Sequence, residues 1–239
     1  MENKLNAQEY KGLLRSARNA AEVTKAHGVY EYSRVNVERK KNWPSFISET
    51  EKYLQSLVYF FPDIRDEISE VTEEKKKRNE AVVVVDLGGI AIAEWAQQNI
   101  GVTLSDEGLS QEEKKRVIVG DLLGSYTRHA LEQRLKSVPS IDVLFFMPKA
   151  GATRYTGNRY AYLQTARLLK MCYERLSPGG LMVIDLHEID PAQSEIQIEN
   201  VFKGIEVDIE TVEGHTFRSG KDGSIIRPRE NIFLIHKPK

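Results

Sequence analysis

Only one cysteine, Cys172, occurs in 239 residues. A single thiol closes no intramolecular disulfide and furnishes no cysteine-rich zinc site. Net charge is equally scarce: 34 Lys and Arg face 35 Asp and Glu, a formal charge of -1. Nucleic-acid binders usually show a basic excess gathered on one face, so no nucleic-acid partner is expected. No apolar run approaches the roughly 18–20 residues that cross a bilayer, and no membrane partner is expected either. Residues 1–18 mix Glu2, Lys4, Glu9, Lys11 and Arg15 with no apolar stretch behind them, unlike a secretory signal, which points to a cytoplasmic setting. Walker-type phosphate loops and the Gly-x-Ser-x-Gly elbow are missing. His187, Glu188 and Asp190 lie close together, but the rest of the chain supplies no matching ligands, so no metal is expected.

The residues that are present divide near position 80. In 1–80 there is no strand signal. Phe46, Ile47, Tyr53, Leu54, Leu57, Val58 and Phe61 recur at offsets of three and four, the spacing of an amphipathic helix. Trp43-Pro44-Ser45 suits a helix start, and Pro62 interrupts the stripe. Ile64, Ile68 and Val71 predict another turn or two before the charged run 73–78. Residues 1–80 therefore read as a helical cap, its apolar stripe laid against the domain that follows.

From Ala81 the pattern changes to short β-branched and apolar runs at 82–85, 102–104, 117–119, 141–146 and 181–184. Continuous runs of this kind mark strands buried on both faces of a parallel sheet. Helical stretches are expected between several of them, over 90–99, 127–136 and 160–176, so residues 81–239 read as βαβ units in an α/β sandwich. Near Ser110–Arg116 there is room only for a brief helix, which Ser110 and Glu113 can cap. Residues 205–212 alternate apolar and polar and 231–236 form a last apolar run, which predicts a two-strand return with one antiparallel strand. Gly220-Lys-Asp-Gly223 reads as a turn.

Open parallel sheets bind ligands beyond the carboxyl ends of their strands. The first run is followed by Asp86-Leu87-Gly88-Gly89, the second by Ser105-Asp106 and the third by Gly120-Asp121-Leu122. A dinucleotide loop would carry a third glycine and would keep carboxylates away from the phosphates. Here the third glycine is missing and an acid stands first, which suits a ligand bearing an ammonium group. A carboxylate at the second tip can accept from both ribose hydroxyls, and one at the third from an exocyclic amine. Each Asp alone could simply cap a turn. Three acids on three successive tips instead suggest an adenosine-type ligand.

These residues, with Leu176-Ser-Pro-Gly-Gly180 ahead of the run to Asp185, resemble the class I S-adenosylmethionine-dependent methyltransferases. The resemblance covers about 81–239. It implies a Rossmann-like, mostly parallel seven-stranded sheet flanked by helices, with the last strand inserted antiparallel, and S-adenosylmethionine as cofactor. Asp86, Gly88 and Gly89 would then lie under the methionine moiety, Asp106 would hold the ribose, and Asp121 with Leu122 the adenine. Met147, after the fourth strand, would face the methyl. Leu-Ser-Pro-Gly-Gly would be a helix stop before a strand. The chain departs from the family's first motif at Ile90. It departs again at Phe146-Met147-Pro148-Lys149, which is not the Asn/Asp-Pro-Pro-aromatic signature of amino-group methylation.

Lys149, Arg154, Tyr155, Arg159 and Tyr160 cluster after the fourth strand and could bind a small, acidic acceptor. Tyr155 and His187 are the catalytic candidates, His187 because an imidazole can act as a base near neutral pH. A nicotinamide-dependent oxidoreductase is disfavoured by the missing third glycine, and two readings remain. One is a methyltransferase acting on a small molecule, with homo-oligomerisation left open. The other is a degenerate relative that binds or scaffolds without turnover.

Overall fold

A computed structural model describes residues 62–89, 93, 95–147, 153–186, 189–212, 217–218, 225–226 and 231–239. The helices expected within 1–61 lie outside the described residues. In chain order the elements are helix α1 (Pro62–Lys77), β1 (Val83–Leu87), β2 (Gln98–Thr103), α2 (Gln111–Arg116), β3 (Val117–Val119) and α3 (Ser125–Leu135). There follow β4 (Ile141–Phe146), α4 (Thr153–Thr156), α5 (Arg159–Glu174), β5 (Leu176–Asp185), α6 (Pro191–Phe202) and β6 (Asp208–Val212). The last are β7 (Phe217–Arg218), β8 (Ile225–Ile226) and β9 (Ile232–His236).

Seven strands form one sheet in the order β3-β2-β1-β4-β5-β9-β6. The first five run parallel, and β9 pairs antiparallel with both β5 and β6. The antiparallel last strand sits inside the sheet, as the resemblance implies. Because side chains alternate along a strand, the β-branched runs bury both faces. Val83, Val85, Leu87, Leu144 and Phe146 pack with α3, α5 and α6. Val84, Val143, Phe145 and Val183 pack with Ile64 and Ile68 of α1. The result is a three-layer sandwich, Rossmann-like in plan.

Local signals explain most element ends. Ser110 and Glu113 form the expected capping box on α2: Ser110 Oγ accepts from Glu113 N–H at 3.3 Å, and Glu113 Oε2 accepts from Ser110 N–H at 2.5 Å. Asn158 caps α5, its Oδ1 accepting from Ala161 N–H at 2.9 Å. At the other end, Lys237 Nζ donates to the terminal carbonyls of Tyr173 and Glu174.

Three expectations need correction. Helix α1 begins at Pro62, where proline's fixed φ costs nothing, and runs on through the charged stretch to Lys77, further than the turn or two expected; the stripe that Pro62 was expected to interrupt lies outside the described residues. The helix expected over 90–99 is not there among the described residues: Trp95 lies in a turn, Gln97 in a bend, and Gln98 already starts β2. Leu176-Ser-Pro-Gly-Gly180 is not a stop before the strand but part of β5. It bulges where the β4 pairing steps from Ile141↔Leu176 to Val143↔Leu181. Gly179 takes φ 72 in the bulge and donates to Lys237 O at 3.0 Å. A separate two-stranded ribbon, β7 with β8, was not foreseen. The turn expected between them lies outside the described residues.

At the amino edge a single buried acid ties three elements together. Asp142, fully buried on β4, accepts from Val83 N–H of β1 at 2.9 Å and from Ser177 Oγ of β5 at 2.8 Å. Lys75 Nζ of α1 stands 3.2 Å from Oδ1, the oxygen that also accepts from Ser177. Asp142→Ala leaves two buried donors without their acceptor and the Lys75 ammonium with only the exposed Glu80 carboxylate, at 3.1 Å, so it is expected to cost about 3–5 kcal/mol in urea unfolding. Ser177→Ala, which removes one neutral donor, should cost about 1 kcal/mol. A separate check concerns Cys172, which is wholly buried and whose thiol burial pushes up to about 12. A thiol held protonated in this way should resist a disulfide reagent at pH 8 until denaturant is added. Rapid labelling of the folded protein would contradict that burial.

Candidate functional site

Three adjacent parallel strands, spaced about 4.8 Å apart, bring the tips of β1, β2 and β3 within roughly 10 Å of one another. Their register sets the details. Asp86 pairs with Gly101 on β2 and Phe145 on β4, and Leu87 pairs with Val102 and Phe146. Gly88 turns immediately beyond, with φ 101, and donates to Val102 O at 2.9 Å. Only glycine adopts that φ without strain. Gly89 then bridges back to Val102. The Asp86 side chain, almost wholly buried, folds over this turn: a Cβ on Gly89 would stand 1.9 Å from Asp86 Oδ2.

Asp106 lies just past the end of β2 with its carboxylate substantially exposed, 3.1 Å from Lys114 Nζ of α2. Asp121, two residues past β3, closes a tight turn: its Oδ1 accepts from Leu123 N–H at 3.1 Å and its carbonyl from Gly124 N–H at 2.8 Å. Leu122 is buried inside that turn. Arg128, half-buried on α3, donates to Leu123 O at 3.5 Å and to Gln164 Oε1 on α5 at 2.5 Å. The turn is thus pinned to the helical layer behind it, and the loss of hydration pulls the guanidinium pKa down.

Met147 follows Phe146, so it lies beside the Gly88 turn, and it is buried on the same face as Val84 and Phe145. The structure thus brings Asp86, Gly88, Gly89 and Met147 together, with Asp106, Asp121 and Leu122 on the neighbouring tips. It sets Tyr155 apart. That phenol is buried against the opposite face, its ring edge-on to Phe146 at 5.7 Å, within the α3–α5–α6 core. His187 lies outside the described residues. Its flanks are fixed, since Leu186 N–H donates to Asn231 O at 2.9 Å and Asn231 Nδ2 donates to Ile189 O at 2.5 Å.

Sequence reasoning passed over one acid. Asp185 ends β5 fully buried, one step past the Phe146↔Ile184 pair and therefore level with Met147. The signal was available, because a carboxylate that terminates a continuous apolar run is costly unless it is partnered. Farther along, Arg159, Tyr162, Gln197 and Asn200 line a cleft of about 590 Å³ between the start of α5 and α6. Tyr162 Oη donates to Gln197 O at 3.2 Å, and burial raises its pKa.

The acceptors at the tips, an exposed carboxylate at Asp106 and a half-buried one at Asp121, fit an adenosine-type cofactor at its nucleoside end. At the glycine turn the space a pyrophosphate would need is filled by Asp86, which fits a cationic group and not an anionic one. The contact between Asp86 and Gly89 is testable by a double-mutant cycle. Gly89→Ala is expected to destabilise the wild type by displacing the Asp86 carboxylate. In an Asp86→Ala background the same change should cost at least about 1 kcal/mol less in urea unfolding. Strict additivity would show that the two residues do not touch.

No protein-family profile matches the chain, and no curated protein does. Among solved structures, the chain is similar to a methyltransferase homolog protein from Pyrococcus horikoshii, with TM-score 0.42, 14% identity and coverage of 66% of this chain and 61% of that one. It is also similar to an rRNA methylase from Streptococcus thermophilus, with TM-score 0.39, 12% identity and coverage of 66% and 88%. A third is a candidate SAM-dependent methyltransferase from Streptococcus mutans, with TM-score 0.40 and 14% identity. That match takes in 71% of this chain but only 47% of the other, about half its length. At these values the likeness decides neither activity nor acceptor.

Proposed function

We propose that the protein is an S-adenosylmethionine-dependent methyltransferase acting on a small, acidic acceptor. The observation that carries this reading is the adjacency of the β1, β2 and β3 tips, each bearing an acid, in a sheet with its antiparallel strand between β5 and β6. Asp106 accepts from the ribose hydroxyls, exchanging part of its contact with Lys114 for them. Asp121 and the Leu122 backbone take the adenine edge. Asp86, held over Gly88 and Gly89, meets the ammonium group of the methionine moiety, and Met147 lies alongside the methyl. The cofactor supplies a methyl already activated by its sulfonium.

The chain's own task is then chiefly positioning, which can contribute up to about 7–11 kcal/mol of barrier lowering. Arg159 and the amides of Gln197 and Asn200 suit the carboxylate of an acceptor, with a guanidinium offering paired donors. His187 accepts a proton where the acceptor carries one. Tyr155, packed on Phe146, orients the end of β4 and touches no reactant. A second reading, binding without turnover, is favoured by the Asp106–Lys114 ion pair and by the lack of a helix over 95–99. A helix there would ordinarily close the cofactor loop.

Calorimetric titration with S-adenosylmethionine and S-adenosylhomocysteine tests both readings. Wild type should bind saturably, and Asp106→Ala should lose about 10- to 100-fold in affinity, the worth of charge-assisted hydrogen bonds to two hydroxyls. Formation of S-adenosylhomocysteine in the presence of small carboxylic acids would support the transferase, and binding with no turnover would support the second reading. No binding by wild type would overturn both.

A further inference from the structure

The opposite edge of the sheet holds a second cleft, of about 610 Å³, that no step of the reaction proposed above uses. It lies where the β1–β2 connection, the start of β2, the end of α2 and the α3–β4 connection meet. Its floor is apolar: Ala93, Ala96, Ile100 and Val138 all line it and all are buried. Two guanidiniums stand on its wall, Arg116 and Arg134. Neither makes a close ion pair with a carboxylate among the described residues, although Arg116 lowers the pKa of Glu112 one turn before it. Arg134 spends one N–H on Lys115 O, at 2.9 Å, which brings its head group next to the residue that precedes Arg116.

The walls are built before any ligand arrives. Asn99 Oδ1 accepts from Ala93 N–H at 2.9 Å, and its Nδ2 donates to Ala93 O and Ala96 O, both at 3.2 Å. Gln97 Oε1 accepts from Val82 N–H at 2.7 Å. These side chains hold the connection in its turn and leave Gln98 facing the cleft. On the far wall, Ser137 Oγ donates to Arg134 O at 2.6 Å.

A basic residue in the last turn of a helix is common, because it offsets the dipole. That accounts for a cation at each helix end. It does not account for two such cations, both exposed, lining one cleft with an apolar, preformed floor. The volume falls in the range of small-molecule pockets, which pair apolar walls with a few convergent polar groups. Planar guanidiniums bind oxyanions through paired, parallel hydrogen bonds.

We propose that this amino-edge cleft is a binding site for a small molecule that joins an oxyanion, a phosphate monoester or a carboxylate, to a flat apolar body. Arg116 and Arg134 take the anion, and the Ala93, Ala96, Ile100 and Val138 floor takes the body. The site is separate from the carboxyl-edge tips and does not depend on their reading.

Phenyl phosphate, benzoate and inorganic phosphate serve as probes, titrated by NMR and calorimetry into the full chain at low salt. Phenyl phosphate should bind more tightly than inorganic phosphate, and the stronger of phenyl phosphate and benzoate names the anion. Arg116→Gln and Arg134→Gln should each weaken the aromatic probe about tenfold or more, with unchanged thermal melts, while Asp106→Asn should leave it unaffected. Arg116→Lys keeps the charge and loses the fork, so it should weaken phenyl phosphate several-fold even if a glutamine variant does not fold. Absence of saturable binding, equal affinity for phenyl and inorganic phosphate, unchanged affinity in the arginine variants, or a matching loss in Asp106→Asn would each overturn the proposal.

Discussion

Burial of the Asp142 carboxylate is the constraint on which the architecture rests. A charge removed from water is tolerated only when paired and hydrogen-bonded, and here the partners come from β1, β5 and α1. Those bonds fix how β1 and β5 stand against β4 at the amino edge, and they hold α1 to the sheet through Lys75. Once the amino ends are registered, the carboxyl ends follow from strand length. Asp86 falls level with Phe145, and Met147 and Asp185 fall level with the Gly88 turn. A carboxylate at one edge of the sheet therefore sets the geometry of the acids at the other.

Much of this order was legible in the sequence because burial on two faces leaves a plain mark. The runs 117–119 and 141–146 became β3 and β4 without revision, and the others shifted by a few residues. The Ser110–Glu113 box was legible because both halves of a capping box are local. What could not be read was anything decided across the sheet. Leu176-Ser-Pro-Gly-Gly180 looks like a helix stop, yet Gly179 answers to Lys237, far along the chain. Tyr155 reads like a site phenol by its neighbours in sequence, and only tertiary packing turns it toward Phe146.

The candidate site was legible at the tips and illegible between them. Positions such as Asp86, Asp106 and Asp121 can be located by counting past a strand. Whether their carboxylates are exposed, paired or folded inward depends on neighbours that no spacing rule names. Lys114 reaches Asp106 from α2, Leu123 closes on Asp121, and Gly89 yields its side-chain volume to Asp86. Each acid thus has a different accessibility, although all three look alike in sequence.

The connection from β1 to β2 explains both edges at once. A parallel neighbour must start at the opposite edge, so the chain has to travel back the length of the strand, about 16 Å. At a helical rise of about 1.5 Å per residue that takes roughly eleven residues before any turns are added. Residues 88–97 are all that lie between the two strands. Asn99 adds a local reason, since its amide bonds to Ala93 and Ala96 compete for the groups a helix would use. At the carboxyl edge, the short connection sets a carboxylate over the glycine turn, which favours a cationic ligand group over a phosphate. At the amino edge, the same short connection leaves the start of β2 and its buried floor open beneath Arg116 and Arg134.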